Sequence, residues 1–132
     1  MDKKLYFSPS EQAQLSSLGI QAAILFGSHA VGNTHPQSDY DIAVIGPKSE
    51  VSYDTLYDLL SRKIQKLVNI DIVFLHTAPM DLRMHVARHG LPIYQPSPAV
   101  FADFKQQTMA KYADFAPLRA IFSNATLSRI SP

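Results

Sequence analysis

The part of the chain that decides the fold is residues 20–45, which read IQAAILFGSHAVGNTHPQSDYDIAVI. The apolar run at residues 20–26 predicts a buried strand, and Gly27-Ser28 interrupts it. After ten more residues, a second apolar run at 39–45 predicts another strand, which carries Asp39 and Asp41 at its start. Alternate residues of a strand face the same side, so these two carboxylates should share one face.

A third acid occupies a similar position. Asp71 interrupts the apolar, β-branched run at residues 70–75, which predicts a third strand. If the two acid-bearing strands are neighbours, three carboxylates converge and repel one another unless a cation compensates them. A hard divalent cation prefers such oxygen ligands, and the group is typical of sites with one or two metal ions in phosphoryl or nucleotidyl transfer.

The Gly27-Ser28 pair predicts a phosphate-binding turn. It follows a strand and precedes a possible short helix at residues 28–31. A turn of this kind presents backbone N–H groups, and glycine allows a phosphate to approach closely. The Ser28 hydroxyl is a further donor.

The flanking segments predict a small α/β (α+β) fold with a mixed sheet flanked by helices. Ser8 and Glu11 form a capping box that begins a first helix, and Gly19 ends it. Helical periodicity continues at residues 52–68, where Leu67 belongs to the apolar stripe. A helix at 79–89 and a short edge strand at 91–94 follow.

The C-terminal part predicts a helical extension within a single domain. We place a core at residues 1–95 and the extension at 96–132, joined at Pro96-Ser97-Pro98. Pro117 is expected to kink or end the extension's helix. One face of this helix carries an aromatic-rich stripe expected to contact the core or a partner: Phe101, Phe104, Thr108, Tyr112 and Phe115.

Composition is ordinary for a soluble globular domain. The chain has 132 residues, 46% hydrophobic and 17% charged, and a net charge of +1. This charge gives no strong field for nucleic acid or an anionic membrane. The chain has no cysteine, which excludes disulfides and thiol nucleophiles. We see no signal peptide and no apolar run long enough for a membrane span, so we expect a cytoplasmic protein.

The motif resembles the DNA polymerase beta-like nucleotidyltransferase superfamily: Gly-Ser, ten residues, Asp-x-Asp, and a later third acid. The small size and residues 89–94 are similar to the minimal nucleotidyltransferases (MNT proteins). The resemblance implies that Gly27 and Ser28 bind the phosphates of ATP and that Asp39, Asp41 and Asp71 bind Mg²⁺. It further implies that Asp71 helps to deprotonate the attacking hydroxyl.

The resemblance also implies a partner. Many MNT proteins are antitoxins of HEPN-family toxins, usually RNases, which they neutralise by transferring AMP to a toxin tyrosine. We therefore expect a magnesium-dependent protein adenylyltransferase in a hetero-oligomer with such a toxin. Two alternatives remain: a small-molecule (aminoglycoside-type) nucleotidyltransferase, for which the extension is short, and a non-catalytic antitoxin that masks its toxin.

Other patterns are weaker. Residues 27–34 approach a Walker A loop, but Asn33 stands where that loop needs lysine. The Asp-x-Asp precedes its apolar run, whereas in haloacid-dehalogenase-type phosphatases it follows one. Asp-x-Asp glycosyltransferases typically need a longer chain. The pair His85 and His89 could bind zinc, but a solvated helix face is the simpler interpretation, and His29 is expected to have no special role.

Overall fold

The computed structural model describes residues 5–31, 39–65 and 67–114. The described chain alternates helices and strands, in the order expected from the sequence. The elements are α1 (Pro9–Ser17), β1 (Ala22–Phe26), α2 (Ser28–Val31), β2 (Tyr40–Ile45), α3 (Glu50–Ile64), β3 (Ile70–Phe74), a 3-10 helix (Leu75–Thr77), α4 (Met80–His89), β4 (Leu91–Tyr94) and α5 (Pro98–Asp114).

The strands form one mixed sheet in the order β3-β2-β1-β4. Strand β1 is antiparallel to both β2 and β4, whereas β2 and β3 are parallel and joined by α3. The parallel pair explains why a helix lies between these strands, since parallel neighbours need a crossover. The predicted fold class is confirmed, and β4 is an edge strand as Pro92 suggested.

Helices cover both faces of the sheet. On one face, α1 and α3 bury Leu15, Leu56 and Leu60 against the inward residues of the strands. On the other face, Val86 of α4 and Phe101 of α5 pack against alternate residues of β1 and β2. Because both faces are covered, the central strands β1 and β2 are apolar apart from Asp41, and every residue of β1 is buried.

The first helix begins as the sequence predicts. The Ser8 hydroxyl accepts from the backbone N–H of Glu11 at 3.3 Å, and a Glu11 carboxylate oxygen accepts from the backbone N–H of Ser8 at 2.8 Å. This capping box satisfies two N–H groups that have no partner within the helix. Glu11 also accepts from the ammonium of Lys63 at 2.6 Å, and this ion pair connects α1 to α3.

Helix α3 is displaced from its predicted range of 52–68. It begins two residues earlier, where the Ser49 hydroxyl accepts from the Ser52 N–H at 3.0 Å. It ends at Ile64, because Gln65 adopts a left-handed conformation with φ of 54°. Leu67 therefore lies outside the helix and is fully exposed, so its assignment to the apolar stripe was wrong.

The extension packs on the sheet. Within α5, Phe101 and Thr108 are buried, and Phe104 packs against the apolar core on the sheet face that α4 and α5 cover. The described part of the aromatic stripe thus belongs mainly to the chain's own core. The division at residue 95 stays a prediction, and the expectations for Phe115 and Pro117 lie outside the described residues.

Candidate functional site

The predicted site residues meet at one end of the sheet. Asp41 of β2 pairs in register with Asp71 of β3, and on its other side with Phe26 of β1. Asp39 immediately precedes β2, and the Tyr40 N–H donates to the Asn69 carbonyl at 2.9 Å, which ties the starts of the parallel strands together. The parallel register therefore sets Asp41 and Asp71 side by side, on the sheet face that α4 and α5 cover.

Gly27 follows the end of β1 directly beside Asp41. Its φ of +77° lies in the left-handed region, which glycine adopts without steric cost. A Cβ at this position would overlap the Asp41 Oδ2 atom and lie 3.2 Å from Cγ. Glycine is therefore required both by the turn and by the approach of the Asp41 carboxylate, and Ser28 then begins α2.

The three acids form a region of concentrated negative charge. Burial raises the pKa of Asp41, and the neighbouring charges of Asp71 and Asp39 raise it further. His29 and His85 lower this pKa but do not outweigh burial and repulsion. Asp41 is half-buried, whereas Asp39 and Asp71 are exposed, so the group is open to solvent on one side.

Two histidines near the acids were not recognised as significant from the sequence. The His85 ring of α4 meets the Phe26 ring edge-on at 6.2 Å and acts on Asp41, so the solvated-face interpretation was incomplete. His29 stacks on Tyr40 with ring centroids 3.7 Å apart. Neither contact could be inferred from spacing, because each joins elements that are brought together only by the fold. His85 and His89 lie 5.1 Å apart between ring centroids.

Within the described ranges, no three His, Asp or Glu side chains form a ready-made metal cage. The donor set nevertheless fits magnesium in its usual binding mode. Mg²⁺ is commonly held by one or two carboxylates together with waters and substrate phosphates. Asp41 and Asp71 provide adjacent carboxylates, and their mutual repulsion, seen in the raised pKa of Asp41, is what a cation relieves.

The acids line neither of two grooves on the described surface. One groove, of about 360 Å³, is lined by Val73, Thr77 and Leu82, and another, of about 240 Å³, by Arg83 and Thr108 among others. Neither includes any of the five candidate site residues.

A mixed sheet that sets paired carboxylates beside a glycine turn is the arrangement of a nucleotidyltransferase. The chain belongs to the polymerase beta nucleotidyltransferase family, since the family model described as "Polymerase beta, Nucleotidyltransferase" matches residues 12–99. The superfamily predicted from the Gly-Ser and Asp-x-Asp motif is thus confirmed. No curated protein sequence matches the chain.

Solved structures with the same fold include toxin–antitoxin complexes. A chain of a toxin–antitoxin with AMP-PNP has a TM-score of 0.69 and 23% identity, over 91% of this chain and 99% of that one. A chain of the MntA-HepT complex has a TM-score of 0.60 and 20% identity, over 90% and 99%.

A further similar structure is a tri-AMPylated HEPN toxin from Shewanella oneidensis in complex with an MNT antitoxin. Its TM-score is 0.60 at 21% identity, with coverage of 89% of this chain and 97% of that one. These likenesses establish the fold. None of the helices in the described ranges is long and apolar enough to cross a membrane.

Proposed function

We propose that the protein is an antitoxin that transfers AMP from ATP to a tyrosine hydroxyl of a HEPN-family toxin. The observation that carries this proposal is the register of Asp41 with Asp71 directly beside the Gly27 turn. Phosphate-binding and cation-binding groups are thereby adjacent. The likeness to chains of MNT–HEPN complexes, one with an AMPylated toxin, supports the choice of partner and acceptor.

The Gly27-Ser28 turn would hold the triphosphate of ATP. The absence of a Cβ at Gly27 leaves the backbone accessible beside the carboxylates. Ser28 contributes a hydroxyl and a backbone N–H at the first position of α2. Together they would fix the α-phosphorus close to Asp41 and Asp71, and positioning of this kind is a large part of phosphoryl-transfer catalysis.

Asp39, Asp41 and Asp71 would hold magnesium, which supplies charge neutralisation for the triphosphate and the pyrophosphate leaving group. Asp71 has a second role in this proposal. Its exposed carboxylate accepts the proton of the tyrosine hydroxyl while the tyrosine oxygen forms a bond to the α-phosphorus. The bond from that phosphorus to the bridging oxygen breaks, and pyrophosphate leaves.

The openness of the site supports a macromolecular acceptor. Asp71 lies on β3, which is an edge strand, and both Asp39 and Asp71 are exposed. Small molecules are normally bound in concave pockets that bury most of their surface, whereas two of the three acids are exposed. A tyrosine on the surface of a partner protein can reach carboxylates at an open end of the sheet. We propose that the reaction takes place in the cytoplasm.

The experiment uses the purified chain, a candidate HEPN-family toxin from the same organism, ATP and magnesium. Intact-protein mass spectrometry should show AMP units added to the toxin by the wild type, and none by Asp71→Asn. Asp54→Asn, an exposed acid of α3 outside the site, is the matched control and should transfer normally. A toxin that is fully inhibited but unmodified would reject the transfer mechanism in favour of masking.

A further inference from the structure

The groove of about 240 Å³ lies at the opposite end of β2 from the acids. Its floor includes Ile45, the last residue of β2, and its walls come from α4 and α5. Ile45 lies four positions after Asp41, which corresponds to roughly 13 Å along the strand. This groove is therefore separate from the nucleotidyl-transfer site.

Basic side chains surround the groove. Arg83 of α4, Lys111 of α5 and His76 of the 3-10 helix line it, and Gln107 provides an amide. No acidic side chain is among its described lining residues. Three basic groups from three separate elements therefore face one small volume without a carboxylate among them, an arrangement that favours an anion.

Two residues that line the groove each carry a buried polar atom without a partner in the part of the chain that the structure describes. Thr108 is only 1% exposed, and its Oγ1 atom makes no hydrogen bond there. The Nε atom of Arg83 is likewise buried without a partner. A buried polar group without a partner is costly, so two of them lining one groove indicate a ligand that accepts hydrogen bonds.

We propose that this groove binds a phosphate group, either as free inorganic phosphate or as the phosphate of a small monoester. A tetrahedral dianion has several acceptor oxygens, which suit the guanidinium of Arg83, the hydroxyl of Thr108 and the ammonium of Lys111 as donors. The volume equals about eight water molecules at about 30 Å³ each, which suits a phosphate with a small substituent. The net charge of +1 gives no broad basic surface for a polynucleotide.

The binding test is a titration of the full chain with inorganic phosphate at constant ionic strength with EDTA present. Binding is monitored through the chemical shifts of the backbone amides in NMR spectra. Saturable shifts at Thr108 and Lys111 are expected. Arg83→Gln and Lys111→Gln should each weaken binding at least about tenfold. Lys105→Gln, an exposed lysine of the same helix outside the groove, should bind as the wild type does. A parallel titration with ribose 5-phosphate distinguishes the two sources, since the natural ligand should bind more tightly.

Thr108→Val provides an independent readout. Valine keeps the shape but removes the unpartnered hydroxyl, so the ligand-free variant should have a higher Tm than the wild type and a weaker affinity for phosphate. Shifts that do not saturate, or an equal affinity in the wild type, Arg83→Gln and Thr108→Val, would overturn the proposal. Because EDTA is present and no nucleotide is added, this result is independent of the proposed AMP transfer.

Discussion

Replacing Gly27 with alanine should destabilise the protein more than replacing Gly19. The two glycines have nearly the same backbone, with φ of +77° and +78°. A left-handed conformation costs a residue with a Cβ about 1–2 kcal/mol, so both substitutions carry this cost. The smaller entropy of the unfolded alanine chain offsets part of it equally in both.

The difference between the two variants isolates the contact with Asp41. A Cβ at Gly19 would meet only Pro47, at 3.4 Å, which is an ordinary contact. A Cβ at Gly27 would overlap Oδ2 of Asp41 and force that side chain out of its rotamer, at about 0.5–1.5 kcal/mol. After the unfolded-state offset of about 0.4–1 kcal/mol, we expect Gly19→Ala to cost about 0–1.6 kcal/mol and Gly27→Ala about 0.5–3 kcal/mol.

The assay is urea unfolding of the wild type and of both variants, combined with calorimetric titration of ATP and magnesium. Gly19→Ala should bind ATP normally, and Gly27→Ala should bind it weakly. In an Asp41→Ala background, the extra destabilisation from Gly27→Ala should disappear, because the overlapping carboxylate is absent. Equal destabilisation by the two single substitutions would refute the close approach of Gly27 and Asp41.

Three further predictions follow from the charges. Because burial and neighbouring acids raise the pKa of Asp41, its ionised form is disfavoured in the folded protein. Without magnesium, Asp41→Asn should therefore raise the free energy of unfolding at pH 7. This gain should shrink as the pH falls through the raised pKa and be absent below about pH 3.9; a destabilised variant at pH 7 would contradict the electrostatic account. Magnesium and ATP should bind weakly alone and more tightly together, since phosphates complete the coordination; tight magnesium binding without nucleotide, measured by calorimetry, would argue for a complete protein cage. Lys63 and the Ser8 N–H lower the pKa of Glu11, so the ionised Glu11 stabilises the fold above about pH 4.3, and this contribution is lost as the pH falls through the lowered pKa. Glu11→Gln should therefore flatten this part of the acid-unfolding curve. An unchanged curve would contradict the role of Glu11.

Much of the fold could be predicted because local signals agreed with the tertiary structure. The capping box at Ser8 and Glu11 and the apolar strand at residues 22–26 each appear where the sequence indicated. The end of α3 could not be predicted from periodicity. Leu67 continues the helical spacing, but the left-handed Gln65 ends the helix before it.

The candidate site, like the fold, could be predicted from the sequence only in part. The shared face of Asp39 and Asp41 follows from strand alternation, but their proximity to Asp71 depends on the parallel pairing of β2 with β3. From the sequence alone, the convergence of the three acids could be predicted only on the condition that these two strands are neighbours. His85 acts on Asp41 from a helix more than forty residues away, and the overlap between Gly27 and Asp41 depends on the β1–β2 register. Such contacts are properties of the tertiary fold.

The most direct test of the central claim is the fate of labelled phosphates. The protein, a candidate HEPN-family toxin from the same organism and magnesium are incubated with ATP labelled at either the α- or the γ-phosphate. The account predicts that the α-label becomes covalently attached to the toxin, that the γ-label leaves as pyrophosphate, and that Asp71→Asn abolishes the α-labelling. Attachment of the γ-label, or α-labelling by Asp71→Asn at the wild-type rate, would contradict it.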